Sequence, residues 1–351
     1  MLLSDLSNLP GVSGNEDAVR DYILNEITAY CDSISVDRVG NIVAVVKAGG
    51  NKNGEEVPKI MLAAHMDEVG FIVSGVDRNG NLQIMPVGGI DPKVVPGSKV
   101  LVGDNDIKGV IGIKAIHLQS EVEFKKTVAI DALRVDIGSD RKKLTENVVI
   151  PGDYVVFDTM FEEFGEGLYS GKAFDDRVGC AILIELMRNL KRLPFDLYIC
   201  FSVKEEIGLA GAKILAESIK PDVAIILEGT TCADLPNVAG HMVSSRLREG
   251  PVLAIMDGSS VSSRKLNEFI IAAAKENHIP YQFKNTVTGG NDAAAIQRSA
   301  MGAMVSSISV PCRYLHSPVS VISKEDYDNA FYLVTAVIEK LSETGGSIDV
   351  H

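Results

Sequence analysis

The sequence predicts an α/β fold interrupted by a small all-β insertion. Three observations carry that expectation. Short apolar runs such as Lys59–Ala64, Leu197–Val203 and Asp222–Leu227 alternate with segments of helical period on both sides of one long stretch. That stretch, Phe71 to about Phe164, is rich in Val, Ile and Gly, with turn signals every few residues and only Ser139–Glu146 reading as helix. The chemically suggestive strand ends are split between the flanks, His65 on the first and the others on the second, which an insertion explains better than tandem domains. The expected division is one α/β domain from 1–70 with 165–351, and an inserted β-rich barrel or sandwich over 71–164.

The composition is compatible with this. A chain of 351 residues, 46% apolar and 23% charged, is an ordinary globular chain able to bury a sizeable core. It has no apolar run of about 18 residues, the length a membrane helix needs. The start Met1-Leu-Leu-Ser-Asp5 lacks the basic and apolar regions of a secretory signal. Cys31, Cys180, Cys200, Cys232 and Cys312 are scattered, form no CxxC, and read as reduced thiols of a cytoplasmic protein. A net charge of −13 argues against nucleic acid or an anionic membrane as partner.

In chain order, Ser13 and Glu16 have capping-box spacing before a helix carried by Ala18, Val19, Tyr22, Ile23, Ile27 and Tyr30. Ser33–Arg38 and Ile42–Lys47 read as strands, and the polar Gly/Asn segment 47–58 as a hairpin tip. Lys59–Ala64 is a buried strand running into His65, with Asp67 two residues on. His117 reads as packed or hydrogen-bonded, His278 as the cap of a helix over Val261–Asn277, and His241 and His351 as chemically silent. Asp175 and Asp176 open a helix lined by Val178, Ile182, Leu183 and Leu186. Such residues can serve as a cap or can present a carboxylate to a cation. The strand Leu197–Val203 then gives way to Glu205 and Glu206, followed by a helix from about Gly208 to Ser218. Asp222–Leu227 ends at Glu228, a charge closing an apolar strand that needs a partner. Val252–Met256 and Tyr281–Asn285 read as strands, and Ala293–Arg298 as a helix capped by the turn before it. Ala303–Ser309 is the expected last strand, leading to a Pro-flanked loop carrying His316 and a closing helix from Lys324 to about Leu341.

Strand ends in an open parallel sheet gather at one edge, where ligands bind. Two histidines and three carboxylates (His65, Asp175, Glu206, Glu228 and His316) suit a pair of borderline divalent cations bridged by a carboxylate. Glu205, beside Glu206, is then left for proton transfer, and Asp67 can orient His65.

The motifs AAHMDEVGF (63–71), SGKAFDDRVG (170–179), SVKEEIGLAGA (202–212), LEGTT (227–231) and RYLHSP (313–318) occur in an order that resembles the tetrahedral co-catalytic metallo-aminopeptidases. That group includes the glutamyl and deblocking aminopeptidases, some of which have been labelled endoglucanases. The resemblance implies a three-layer α/β/α zinc-exopeptidase-like domain, with 71–164 as an inserted dimerisation domain. It implies hydrolysis of the N-terminal residue of peptides through a hydroxide bridged by two metal ions, zinc first, with cobalt or manganese suiting the same donors. His65, Asp175 and Glu228 would bind one ion, and Asp175, Glu206 and His316 the other. Asp67 would polarise His65, and Glu205 would be the general base and later the acid. A cis peptide would follow Asp175. Many members carry Asp at the position of Glu228, and the LEGTT form resembles the glutamyl branch, implying a preference for N-terminal Glu or Asp. Arg246, Arg248, Arg264 and Arg313 are the basic residues near these segments. A homo-oligomer is implied, a dodecamer built from dimers, cytoplasmic, acting on peptides with a free N-terminus. The alternatives are a glycoside hydrolase using a carboxylate pair, disfavoured by two unexplained histidines and the absence of Trp, and a non-catalytic metal-binding scaffold.

Overall fold

A computed structural model describes residues 1–49 and 57–348. The chain opens with helices α1 (Leu2–Asn8) and α2 (Asp17–Ile27) and strands β1 (Ser33–Val36), β2 (Ile42–Val46) and β3 (Lys59–His65). Six strands of the insertion follow: β4 (Gly70–Val76), β5 (Leu82–Val87), β6 (Lys99–Val102), β7 (Ile107–Gly112), β8 (Arg134–Asp136) and β9 (Tyr154–Phe157). Short helices α3 (Glu121–Phe124) and α4 (Lys142–Thr145) lie between them. The chain returns through β10 (Glu162–Phe164), β11 (Leu168–Gly171), α5 (Phe174–Asn189), β12 (Asp196–Ser202), α6 (Ala210–Ile219) and β13 (Val223–Thr231). It closes with β14 (Val252–Leu253), α7 (Arg264–Glu276), β15 (Gln282–Phe283), α8 (Ala293–Gln297), β16 (Met304–Arg313), β17 (Ser320–Ser323) and α9 (Lys324–Glu343).

The large sheet runs β1-β2-β12-β3-β13-β16-β17-β11-β10, with β14 and β15 attached beside β16. Its centre, β12-β3-β13-β16, is parallel. Strand β3 explains why. Ile60, Leu62 and Ala64 join the core formed with α1, α2, α5, α7 and α9, while Met61 and Ala63 join a second core beneath α6 and α8. A strand apolar on both faces must be covered on both, so the body is a three-layer α/β/α sandwich.

The insertion closes into a barrel in the order β4-β5-β8-β7-β6-β9. Alternate residues of each strand point inward: Phe71 and Val73, Leu82 and Ile84, Val100 and Val102, Val155 and Phe157. Phe71 and Phe157 meet edge to face at 5.6 Å. Closure leaves no unpaired barrel edge.

Several local expectations fail for identifiable reasons. The capping box does not form, because Glu16 occupies the N-cap of α2 without a side-chain bond to it. The segment 47–58 does not join two paired strands, because β12 lies between β2 and β3; residues 50–56 of it fall outside the described residues. Helix α1 is too short to show a period. The helix expected over 139–146 shrinks to the single turn α4. Strand β16 runs on to Arg313, and β17, β11 and β10 extend the large sheet beyond it as antiparallel strands, so Glu162–Phe164 pairs there rather than in the barrel. His117 is exposed rather than packed. His278 follows α7 with φ +55° and His241 is exposed, while His351 lies outside the described residues. No described helix is long and apolar enough to cross a membrane.

Candidate active site

Parallel pairing places the carboxyl ends of the central strands together. Ser202 on β12 is opposite His65 on β3, so the turn carrying Glu205 and Glu206 lies beside His65. Strand β13 delivers Glu228, and the loop after β16 delivers His316. Asp175 enters from the start of α5, where the Asp175–Asp176 peptide is cis. It packs so closely on Gly229 that a Cβ there would lie 3.0 Å from the Asp175 Cα. The five side chains singled out from the sequence therefore converge.

Asp175 is divided between two pairs. Its Oδ1 lies 3.1 Å from His65 Nε2, which is also 3.2 Å from Glu228 Oε1. Its Oδ2 lies 3.2 Å from His316 Nε2, which is also 3.0 Å from Glu206 Oε1. Each imidazole is held from behind through Nδ1. His65 reaches the Asp67 main-chain carbonyl at 3.0 Å, with the Asp67 carboxylate 3.5 Å away. His316 reaches the Gly89 carbonyl of the barrel at 2.9 Å. Asp176 accepts from the backbone N–H groups of His65 and Gly179.

Burial raises the carboxyls of Glu206 and Glu228 and pushes Glu205 up to about 9, with Asp292, Glu206 and Asp175 adding repulsion. Burial opposes charge on both imidazoles, but their carboxylate partners win. His65 is raised well above its usual range and His316 to about 11. Burial likewise works against an ionised Asp175, but its two histidines hold it well below the ordinary carboxylate range.

A divalent cation fits this donor set. The buried oxygen Glu228 Oε2 has no hydrogen-bond partner. His65, Asp175 and Glu206, and likewise His65, Asp176 and Glu228, offer donor atoms within 4.8 Å of one another. Nitrogen and carboxylate oxygen at such spacing are metal-binding chemistry.

The turn bearing Glu205 and Glu206 is itself held by two carboxylates. Glu16 Oε1 accepts from Lys204 N at 3.2 Å, Asp67 Oδ1 from Glu205 N at 3.0 Å, and Asp67 Oδ2 from Glu206 N at 3.1 Å. Ser13 donates its hydroxyl to Asp67. Lys204 itself has left-handed backbone, φ +58°. Ser13 and Glu16 thus serve the site rather than a helix end. Their spacing matched a capping box and concealed this.

Beside the cluster is a closed cavity of about 230 Å³. Asp175, Glu205, Glu206, Glu228 and His316 line it together with Thr230, Asn291 and Lys284. Lys284 is the only lysine or arginine among its described lining residues. Arg246, Arg248, Arg264 and Arg313 do not reach it. Arg313 is committed to Asp234 at 2.7 Å and Arg264 to Glu268 at 2.7 Å. Lys284 was not among the basic residues singled out from the sequence because it lies far from all five motifs, just after the two-residue strand β15. Asp292, buried and bonded to Ser202, was read only as part of a helix-capping turn.

The layered body, the barrel and a cluster opening on a cavity sized for one residue define an exopeptidase of the α/β/α type. Residues 40–333 match the model of the M42 glutamyl aminopeptidase family. The chain belongs to that family and is a hydrolase of the aminopeptidase class. It is 35% identical over 339 residues to a putative aminopeptidase of Acetivibrio thermocellus, covering 96% of this chain and 97% of the relative. It is 32% identical to lysyl aminopeptidase of Pyrococcus furiosus (97% and 96% covered) and 30% identical to glutamyl aminopeptidase of Lactococcus lactis (96% and 95%). Among solved structures, an aminopeptidase from Desulfurococcus kamchatkensis superposes with TM-score 0.92 at 34% identity, covering 99% and 96%. The Pyrococcus horikoshii TET1 peptidase, which assembles into a tetrahedron or a large octahedral shell, gives 0.84 at 32% (96% and 98%). A structure described as an endoglucanase from Thermotoga maritima gives 0.80 at 33% (98% and 99%).

Proposed function

We propose that this aminopeptidase is metal-dependent and favours peptides beginning with Glu or Asp. The observation that supports it most is the division of Asp175 between two histidine–glutamate pairs. On this reading His65, Asp175 and Glu228 hold one divalent ion, and Asp175, Glu206 and His316 a second. Zinc suits these donors, as do cobalt and manganese. Metal held there supplies Lewis acidity toward a water and toward the scissile carbonyl.

The chain's own residues do the rest. Glu205 takes the proton of the attacking water as the C–O bond forms. It returns that proton to the leaving nitrogen as the C–N bond breaks, giving a free amino acid and a shortened peptide. Asp67 is a positioning residue that fixes the Glu205–Glu206 amides and the His65 ring. The closed cavity takes the first side chain, and its one lysine, Lys284, favours a carboxylate there. A glycosidase reading is weaker, because Glu206 and Glu228 each face a histidine rather than each other across a sugar.

The insertion 71–164 is the proposed dimerisation domain, and dimers the units of a dodecamer. Ile116, Leu118, Val122 and Phe124 on its surface are 61–68% exposed, an apolar area that suits a partner subunit. The family's assembling member supports the same reading. Five unpaired cysteines suit a cytoplasmic location.

The test is release of N-terminal residues with and without a chelator and with Zn²⁺, Co²⁺ or Mn²⁺ restored. Activity undiminished by complete metal removal would reject metal dependence. Glu205→Gln should keep wild-type metal content and lose about 10²–10⁴-fold in turnover; full activity would reject its role.

A further inference from the structure

We infer that the open cleft between the barrel and the α/β body seats the peptide beyond the scissile bond and selects apolar residues there. The inference rests on the site reading above. The cleft measures about 860 Å³. One wall is the barrel, from Asp91 to Lys99 with Asp158 and Thr159. The other is the loop Tyr314–Val319, which carries His316. It meets the closed cavity at Leu315 and His316, residues common to both.

The two spaces differ in the way an exopeptidase requires. The cavity of about 230 Å³ is more enclosed than the cleft, mixed in polarity, and suits a single residue. The remainder of the substrate must lie on an open side, and the cleft is the open space that shares Leu315 and His316 with that cavity. Its volume falls in the range of sites that enclose several ligand groups, about 300–1,000 Å³. Its lining carries exposed apolar side chains that the fold does not use: Val94 at 42% exposure, Tyr314 at 49% and Val319 at 41%. Val94 comes from the barrel and the other two from the body, so an extended chain passing between them is gripped from both sides. Pro96 and Pro318 add two rigid apolar surfaces facing the same space. Exposed aromatic and aliphatic groups converging on a groove that leads from a reactive centre fit apolar side chains just past the cleaved bond.

The experiment compares kcat/KM for Glu-Leu-Leu and Glu-Gly-Gly on the metal-loaded protein, for wild type, Val94→Asp and Tyr314→Ala. Wild type is expected to favour the leucine peptide by about tenfold or more, and each variant to lower that ratio by about threefold to tenfold. Tyr314 lies two residues from His316, so its variant can slow both peptides; the ratio remains the readout, and Val94, on the other wall, repeats the measurement independently. A wild-type ratio near one, or a ratio unmoved in both variants, would overturn the inference. So would a changed assembly mass by light scattering in Val94→Asp with the ratio unmoved, which would put a second copy of the chain in the cleft. Release of no N-terminal residue from any peptide by wild type would instead strike the underlying site reading.

Discussion

Replacing Lys284 with Met removes a charge while keeping most of the aliphatic stem, and the outcome can be sized from its surroundings. Lys284 Nζ donates to the Thr288 carbonyl at 2.8 Å. Burial lowers its pKa, and the largest opposing influence is the negative charge of Asp257, followed by Glu228 and Asp175. Asp257 is already saturated: its carboxylate accepts from the amides and hydroxyls of Ser259 and Ser260. The ammonium therefore retains donors for a substrate carboxylate. A hydrogen bond to a charged group is worth about 1.5–3 kcal/mol, which converts to roughly 10–100-fold in kcat/KM. In Lys284→Met, kcat/KM for the p-nitroanilide of Glu should fall by that factor, while that for Leu should change by less than about threefold. An equal loss on both substrates, or an intact Glu preference without Lys284, would refute the argument. So would a wild type that prefers N-terminal Lys.

Two further perturbations follow from the same geometry. Metal loading at neutral pH should release protons, because the raised His65 and His316, and the raised Glu206 and Glu228, must give up any they hold to bind; calorimetry in buffers of different ionisation enthalpy measures this, and buffer-independent heats would contradict it. Raised histidines stabilise the metal-free fold fully below their ordinary value of 6.5 and lose that contribution as pH climbs toward about 11, and the raised Glu205 acts in the same direction, so the metal-free melting temperature should fall across that window while the loaded protein's changes less. Glu16→Leu should lower kcat by about 10-fold or more at unchanged metal content by freeing the Lys204 amide, and Glu16→Gln, which keeps an acceptor, should recover most of it; equal losses in the two would leave Glu16 a purely structural residue.

The sequence made the central sheet legible because its strands are apolar on both faces, and a strand such as β3 has no other stable setting. It made the cluster legible because His65, Glu206 and Glu228 follow those strands directly, so parallel pairing alone brings them together. The antiparallel margin was not legible: β10, β11 and β17 are three or four residues long and lack a period. The amide clamp was hidden for a different reason. Ser13 and Glu16 satisfy a local rule, the capping box, and the tertiary bonds that override it come from Lys204 and Asp67, far along the chain. Lys284 was invisible because a single lysine after a two-residue strand carries no signal until the cavity wall is assembled around it.

The barrel bears directly on the chemistry. The Gly89 carbonyl fixes His316 at Nδ1, and a glycine is needed just before it. Gly88 has φ +82°, and a Cβ there would lie 2.7 Å from Val69 and 3.3 Å from the Cβ of Glu206. The turn leaving β5 therefore touches one histidine–glutamate pair of the cluster, while the other pair, His65 and Glu228, is built on the central strands β3 and β13. The two halves of the site thus differ in what holds them. The His65 half is fixed by the parallel sheet, and the His316 half by a contact between two separately cored bodies. Any movement of the barrel, whether from subunit assembly or from a peptide lodged between Val94 and Tyr314, acts first on His316 and Glu206. The insertion is in this sense a wall of the active site.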